Sequence, residues 1–166
     1  AGEDQAGKQL REVLTAAGVD CRFIEIDDWP TPINLRVMAQ NQQLARLDFE
    51  EDLPVKNESE RLAVLLNAVE RHLEVADVMI LEDYDKGVLL EPAALIAASA
   101  NYDVPVLVDP KAKPISENSN SNIVKPNEKE FRGLSGLEKP GFSEAARELC
   151  SELNIDNIVI TLGDDG

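Results

Sequence analysis

From residue 57 onward, short apolar runs alternate with helical patterns, and this alternation restricts the fold more than any other feature of the sequence. The apolar runs have the length and composition of buried strands, and they lie at residues 75–81, 104–108, 122–125 and 157–162. The helical patterns lie at residues 57–73, 92–100, from 127 onward, and 142–153. Strands and helices alternating at this spacing predict an α/β fold with a mostly parallel sheet covered by helices on both faces.

The first fifty residues have a different pattern. Apolar residues recur at helical spacing over 10–17 and stop at Gly18, which predicts a helix that ends at a left-handed glycine. Residues 21–26 alternate like a strand. The segments 33–38 and 44–49 both alternate apolar and polar residues at a period of two, which predicts an antiparallel pair with one face covered.

Charge and composition exclude several classes of function. The 166 residues carry a formal net charge of −16, so the average surface repels nucleic acid and anionic membranes. No apolar run approaches the ~20 residues that cross a bilayer, and the first residues lack a signal pattern. Cys21 and Cys150 have no metal-ligand spacing with His72, the single histidine. We expect a cytoplasmic protein that binds neither nucleic acid nor membrane, in which an anionic ligand requires a local cluster of lysines.

Such a cluster follows the predicted strands. The charged residues at the strand ends are Asp83, Lys86, Asp109, Lys111, Lys113, Lys125 and Glu130. Because the carboxyl ends of parallel strands open on one edge of a sheet, we expect these residues to gather there. Lysines and backbone N–H groups hold phosphate oxygens, and carboxylates hold Mg²⁺, usually through waters, so the pattern predicts a site for phosphoryl transfer.

Simpler interpretations exist for each segment taken alone. Charged residues after a buried strand are commonly solvated loops. Asn127 and Glu130 have the spacing of a helix N-cap and its capping box, and Gly163 and Gly166 suit a tight turn. The sequence contains neither a Walker phosphate loop nor a G-x-G-x-x-G motif.

Short motifs spread over the chain carry a more specific resemblance. They are Gly2-x-Asp4-x-x-Gly7, Leu35-Arg36-Val37, Asn41-Gln42-Gln43-Leu44, Asp83-Tyr84-x-Lys86-Gly87, Val108-Asp109-Pro110-Lys111, Pro126-Asn127-x-x-Glu130 and Thr161-x-Gly163-x-x-Gly166. With them the chain resembles the ribokinase-like (PfkB) carbohydrate kinases over nearly its whole length. Within that family, the Asn-Gln-Gln-Leu and Asp-Tyr-x-Lys-Gly motifs resemble the D-glycero-β-D-manno-heptose-7-phosphate kinases, which form the first domain of a bifunctional kinase and adenylyltransferase.

The resemblance implies transfer of the γ-phosphate of ATP, with Mg²⁺, to a sugar hydroxyl. Here the acceptor would be the anomeric hydroxyl of a heptose 7-phosphate, in the synthesis of ADP-heptose for the lipopolysaccharide core. The residues implied for the nucleotide are Lys111, Asn127, Thr161, Gly163 and Gly166. Asn127 and Glu130 would order the water shell of Mg²⁺. The residues expected to bind the sugar phosphate are Arg36, Asp83 and Lys86.

Arg36 is preferred for the substrate phosphate because a guanidinium can bind phosphate through two parallel hydrogen bonds. The alternative is a strand arginine that faces solvent. The heptose kinases carry a lysine two positions before this arginine, where the present chain has Asn34. That difference removes one cation from the expected sugar site.

The resemblance also bears on domain organisation. Residues 33–49 correspond to a small β lid that covers the sugar, and lid strands in this family often form dimer contacts, so we expect a homodimer. The family's catalytic aspartate lies in a Gly-Ala-Gly-Asp motif that this sequence does not contain, and the N-terminal sugar-binding part is not in it either. We therefore expect residues 1–166 to form a partial kinase domain that contains no catalytic base and is inactive alone.

Two other functions stay open at this point. One is a kinase of the same fold that acts on fructose phosphate or on a nucleoside such as adenosine. The other is a noncatalytic α/β module that binds a phosphorylated metabolite at the same strand ends.

Overall fold

A computed structural model describes residues 1–23, 29–51, 58–111, 114–136 and 141–165. The chain divides into two compact units, Ala1–Arg61 and Leu62–Gly166, which are described separately. Within the described ranges, no helix combines the length and the apolar character that crossing a membrane requires.

The first unit begins with helix α1 (Gln5–Ala16). The carboxylate of Asp4 caps this helix by accepting the backbone N–H of Gly7 at 2.7 Å, and the same carboxylate accepts the N–H of Thr31 at 2.7 Å. Both hydrogen bonds lower the pKa of Asp4. The helix ends before Gly18, which has the predicted left-handed conformation with a φ of 82°. Residues 21–23 have no regular structure, and the rest of the strand predicted at 21–26 lies outside the described residues.

A two-stranded antiparallel ribbon follows, formed by β1 (Ile33–Ala39) and β2 (Gln42–Phe49). The connecting residues Gln40 and Asn41 both have positive φ, as in the two-residue turns whose twist matches that of a hairpin. The predicted antiparallel pair is therefore confirmed. The prediction that one face of it is covered is wrong for this chain, because every residue of both strands is exposed. Alternation shows that the ribbon has an apolar face, but it does not show which partner covers that face.

The second unit contains a parallel sheet flanked by helices. Its elements are α2 (Glu58–Leu73, which begins in the first unit), β3 (Met79–Glu82), α3 (Pro92–Ala100), β4 (Val106–Asp109), a 3₁₀ turn (Ile115–Asn118), β5 (Ile123–Val124), α4 (Glu128–Ser135), α5 (Phe142–Leu153), β6 (Asn157–Ile158) and a second 3₁₀ turn (Gly163–Asp165). The four strands are parallel and lie in the order β3-β4-β5-β6. The predicted α/β class is confirmed.

The core of this unit is formed by the strands and by apolar residues of the helices. Val108 and Val124 in the central strands are almost completely buried, as are Leu95 on α3 and Phe131 on α4. Partly buried leucines of α2 and α5 pack against the same cluster. This core holds the strands in register, and the loops after the strands are consequently fixed at one edge of the sheet.

All four strands of the sheet are shorter than predicted, and the difference is largest for the first and the last. The apolar run at 75–81 begins in the turn that closes α2, where the N–H of Val75 bonds to the carbonyl of His72, and the strand itself starts at Met79. The run at 157–162 pairs as a strand over two residues only, after which Thr161 forms a single bridge with Asn127. That bridge brings the end of the chain next to the start of α4.

Candidate functional site

Helix α4 begins with a reciprocal capping box. The side chain of Asn127 accepts the backbone N–H of Glu130 at 2.9 Å, and Oε2 of Glu130 accepts the backbone N–H of Asn127 at 2.9 Å. These bonds satisfy two N–H groups that the start of a helix leaves unpaired. The interpretation of this pair as a helix cap is confirmed. Capping also fixes both side chains at the carboxyl edge of the sheet.

The second carboxylate oxygen of Glu130 faces a lysine. Nζ of Lys111, which follows β4, lies 3.1 Å from Oε1 of Glu130. Burial raises the pKa of Glu130, but the N–H of Asn127 and the ammonium of Lys111 outweigh burial and hold that pKa below its usual value. The hydrogen bond that Lys111 donates to Glu130 in turn raises the pKa of Lys111. Both groups are therefore charged at neutral pH.

A second ion pair lies beside the first. Asp109, the last residue of β4, accepts from Nζ of Lys125, which directly follows β5, at 2.8 Å. The carbonyl of Asp109 also accepts the N–H of Asp83 at 3.1 Å, so the loops after β3, β4 and β5 are joined at this edge. Within the described ranges, charged residues therefore gather at the strand ends as expected, and two of the lysines, Lys111 and Lys125, are paired with carboxylates.

The loop after β3 is held by its own polar groups. Asp83 is buried and accepts the backbone N–H of Asp85 at 2.8 Å. Asp85 and Gly87 both have positive φ, 54° and 76°. The hydroxyl of Tyr84 donates to Glu82 at 2.9 Å, and this hydrogen bond raises the pKa of Tyr84. Asp83 thus has a turn-forming role, and Lys86 is exposed beside it.

Two pockets open around the start of α4. The larger has a volume of about 770 Å³ and is lined by residues from the loop after β4, the 3₁₀ turn and α4, among them Lys111, Asn127, Lys129 and Glu130. The smaller has a volume of about 470 Å³, and its lining includes Asn127, Lys129, Arg132, Thr161 and Gly163. Asn127 and Lys129 line both pockets.

Backbone contacts fix the residues of the smaller pocket. The N–H of Glu128 bonds to the carbonyl of Thr161 at 3.0 Å, and the N–H of Thr161 bonds to the carbonyl of Pro126 at 3.1 Å. Gly163 has a φ of 65°, and open space surrounds the position that a Cβ would take there. The backbone at Gly163 is therefore accessible to a ligand, and a larger residue would be strained.

The structure thus places most of the predicted nucleotide residues together. Lys111, Asn127 and Glu130 line the larger pocket, and Asn127, Thr161 and Gly163 line the smaller one. Gly166 and Lys113 lie outside the described residues. Of the residues predicted for the sugar phosphate, Asp83 and Lys86 line neither of these two pockets, and Arg36 belongs to the other unit.

One residue of the site had no assigned role from sequence. Lys129 lies between Asn127 and Glu130 in the Asn-x-x-Glu motif, where the motif accepts any residue, and it lines both pockets. In the sequence, the signal for a role in the site is that Lys129 lies inside this motif. The pattern itself does not show that a side chain at this position faces the pockets.

The donor groups at this edge limit how a metal can bind. No group of three or more acidic, histidine or cysteine residues suited to a metal occurs within the described ranges. Asn127 and Glu130 contribute one amide oxygen and one carboxylate. That set is too small to enclose an ion, but it fits Mg²⁺, which keeps several waters and takes other ligands from substrate phosphates.

Comparison with known proteins finds relatives that match the whole length of this chain. The pfkB family carbohydrate kinase pattern matches residues 1–166. Among curated relatives, the bifunctional protein HldE of Pseudomonas aeruginosa (strain UCBPP-PA14) is 39% identical and that of Coxiella burnetii (strain Dugway 5J108-111) is 36% identical, in each case over 99% of this chain and 34% of the relative. The chain therefore spans about a third of the length of these relatives.

Solved structures show the same fold. Phosphofructokinase-2 from Escherichia coli in complex with fructose-6-phosphate is 25% identical, with a TM-score of 0.70 over 100% of this chain and 56% of that one. Ribokinase from Arabidopsis thaliana complexed with ribose and ATP is 22% identical, with a TM-score of 0.66 over 99% of this chain and 54% of that one. The ribokinase-like fold is confirmed, and the chain belongs to the pfkB family of carbohydrate kinases.

Proposed function

We propose that the protein containing this chain is an ATP-dependent sugar kinase that phosphorylates the anomeric hydroxyl of a heptose 7-phosphate, in the synthesis of ADP-heptose for the lipopolysaccharide core. The observation that carries the kinase assignment is the cluster of Lys111, Asn127 and Glu130 at a pocket on the carboxyl edge of the sheet. The heptose assignment rests on the Asp-Tyr-x-Lys-Gly and Asn-Gln-Gln-Leu motifs and on the similarity to HldE proteins.

The nucleotide phosphates would lie along the two pockets at the start of α4. Lys111, Thr161 and Gly163 are suited to the phosphate oxygens, and Gly166 continues the same motif. Accessible backbone at Gly163 and the ammonium of Lys111 supply the donor groups that phosphate prefers. Asn127 and Glu130 would hold the water shell of Mg²⁺, which when bound neutralises charge on the transferred phosphoryl group.

Arg36 is the proposed ligand of the substrate phosphate in the first unit, and Asp83 and Lys86 are the proposed substrate-binding residues of the second unit. Arg46, directly opposite Arg36 in the ribbon, is held by Asp48 at 2.7 Å and by the side-chain oxygen of Asn34 at 3.1 Å. Arg36 forms no ion pair within the described part of the chain, so its guanidinium is available for an anion. Asn34, two positions before Arg36, thus orients the arginine that lies opposite Arg36.

The ribbon is also the proposed dimer contact. Ile33, Leu35, Val37, Leu47 and Phe49 form one apolar face, and their exposed fractions are between 39% and 58%. Burying such a face removes apolar surface from water, and a second copy of the same lid offers a matching surface. We propose a cytoplasmic homodimer in which residues 33–49 form the lid of a kinase domain that extends beyond this sequence.

The general base is proposed to lie in that remaining part of the kinase domain. The carboxylates at the carboxyl edge in this chain are engaged: Glu130 by Lys111 and Asn127, and Asp109 by Lys125. A base must be free to accept the proton of the attacking hydroxyl. Residues 1–166 alone are therefore expected to be inactive.

Measurement of ADP release by the full-length protein tests this function. Heptose 7-phosphate, fructose 6-phosphate and adenosine should be offered separately with ATP and Mg²⁺. We expect the highest kcat/KM with heptose 7-phosphate. Fructose 6-phosphate is the second candidate, because the phosphofructokinase-2 complex shares the fold over the whole chain. Preferred turnover of fructose 6-phosphate or adenosine would reassign the substrate, and binding of a sugar phosphate without ADP release would indicate a noncatalytic module.

A further inference from the structure

Lys129 differs from the other basic residues at the start of α4. Each of the others is neutralised by a carboxylate, and the pairs are Lys111–Glu130, Lys125–Asp109 and Arg132–Glu128. Lys129 is exposed, lines both pockets, and forms no ion pair or hydrogen bond within the ranges that the structure describes. Among the described basic residues at the start of α4, Lys129 is the one that no carboxylate pairs with.

The position of Lys129 is unfavourable for the fold itself. Asn127 is the N-cap, so Lys129 is the second residue of α4, close to the positive end of the helix dipole. The carboxylates on either side of it in sequence are already bound, Glu128 by Arg132 and Glu130 by Lys111. Helix stability therefore does not explain a lysine here, whereas an anionic ligand would.

We propose that Lys129 binds the phosphate chain of the nucleotide where the two pockets meet, an inference that rests on the proposed kinase function. A lysine ammonium is a compact charge on a flexible stem, so Lys129 can follow phosphates that extend from one pocket to the other. Lys111 has to be shared between the phosphates and Glu130, because the two residues are already in contact. Lys129 supplies a full charge without breaking an existing pair.

The experiment compares ligand affinities of the full-length protein and its Lys129→Met variant by calorimetry in the presence of Mg²⁺. The probes are ATP, inorganic triphosphate and adenosine. Loss of one charge-assisted hydrogen bond should weaken ATP and triphosphate about tenfold and leave adenosine unchanged. Lys129→Arg should restore binding to within about threefold of the wild type, because it keeps the charge.

Arg147→Met is the matched control, because Arg147 is an exposed basic residue of α5 outside both pockets and its loss changes the net charge equally. It should leave all three affinities unchanged. The melting temperature of Lys129→Met should not fall, since a cation is removed from a helix N-terminus. If the wild type binds ATP and Lys129→Met binds it within about twofold as tightly, the role of Lys129 is wrong while the kinase assignment stands. If the wild type binds neither ATP nor triphosphate, the kinase assignment fails and the inference fails with it.

Discussion

Replacing Glu130 by glutamine separates the proposed magnesium role of this residue from its structural role. The amide oxygen of glutamine can still accept the N–H of Asn127, so the cap of α4 should persist. The lost interaction is the ion pair with Lys111, whose side chain is 49% exposed and therefore well screened by water. Folding should consequently be affected only slightly.

The expected effect on magnesium is larger. Two unit charges about 4 Å apart attract by about 1 kcal/mol even in bulk water, so a carboxylate and a divalent ion gain about 2 kcal/mol at that separation. Because about 1.4 kcal/mol is a factor of ten, the variant should require about 30-fold more Mg²⁺ for half-maximal activity. The side chain of Glu130 is only 14% exposed, so the value for bulk water is a lower bound.

The assay is ADP release by the full-length protein at saturating ATP and sugar phosphate, titrated with Mg²⁺. Glu144→Gln is the control, since Glu144 also lies in the first turn of a helix but lines neither pocket. The Mg²⁺ concentration that gives half-maximal activity should be the same in Glu144→Gln as in the wild type. An unchanged Mg²⁺ requirement in Glu130→Gln, with full activity, would refute the role of Glu130.

The same variant carries a test of pH dependence. The fold lowers the pKa of Glu130 from 4.5, so its charge stabilises the folded state above that pH, and this stabilisation is lost as the pH falls through the lower folded value. The difference in unfolding free energy between wild type and Glu130→Gln should therefore shrink on acidification below 4.5. A difference independent of pH would show that the N–H of Asn127 and the ammonium of Lys111 do not lower the pKa of Glu130.

Three further outcomes are expected. Asn127→Ala should lower the free energy of unfolding by about 1 kcal/mol, because the N-cap of α4 is lost, and urea denaturation measures this change. The same variant should have a lower kcat. Full stability together with full activity would contradict both roles of Asn127. Glu82→Gln should move the pKa of Tyr84 back down towards 10.0, which absorbance titration of the phenol measures. A pKa that stays raised in this variant would mean that Glu82 is not the cause. The 166-residue chain made alone should be unstable or oligomeric, and a monodisperse monomer with a sharp melting transition would argue against a partial domain.

The sequence predicted the helices of the second unit well because their ends carry local signals. Helices 92–100 and 142–153 have the predicted bounds, with Pro92 in the first turn of one and a left-handed Asn154 after the other. The capping box at Asn127 was likewise visible in the spacing of Asn and Glu. Such signals depend only on residues a few positions apart, so a single sequence contains them.

Other features depend on distance across the fold and could not be predicted. The sequence shows lysines and carboxylates at the strand ends, but not that Lys125 pairs with Asp109 and Lys111 with Glu130. The role of Lys129 depends on which lysines remain unpaired, so it could not be predicted either. The sequence likewise does not show what covers the apolar face of the ribbon. Alternation at a period of two indicates that one face is apolar, but it does not identify the surface that packs against that face.

The most direct test of the account is a crystal structure of the full-length protein with Mg²⁺ and a nonhydrolysable ATP analogue. We predict that its phosphates lie across the two pockets at the start of α4, in contact with Lys129 and the backbone at Gly163, with Glu130 reaching the metal through waters. The account would be contradicted if the phosphates bind away from Asn127 and make no contact with Lys111, Lys129 or the backbone at Gly163.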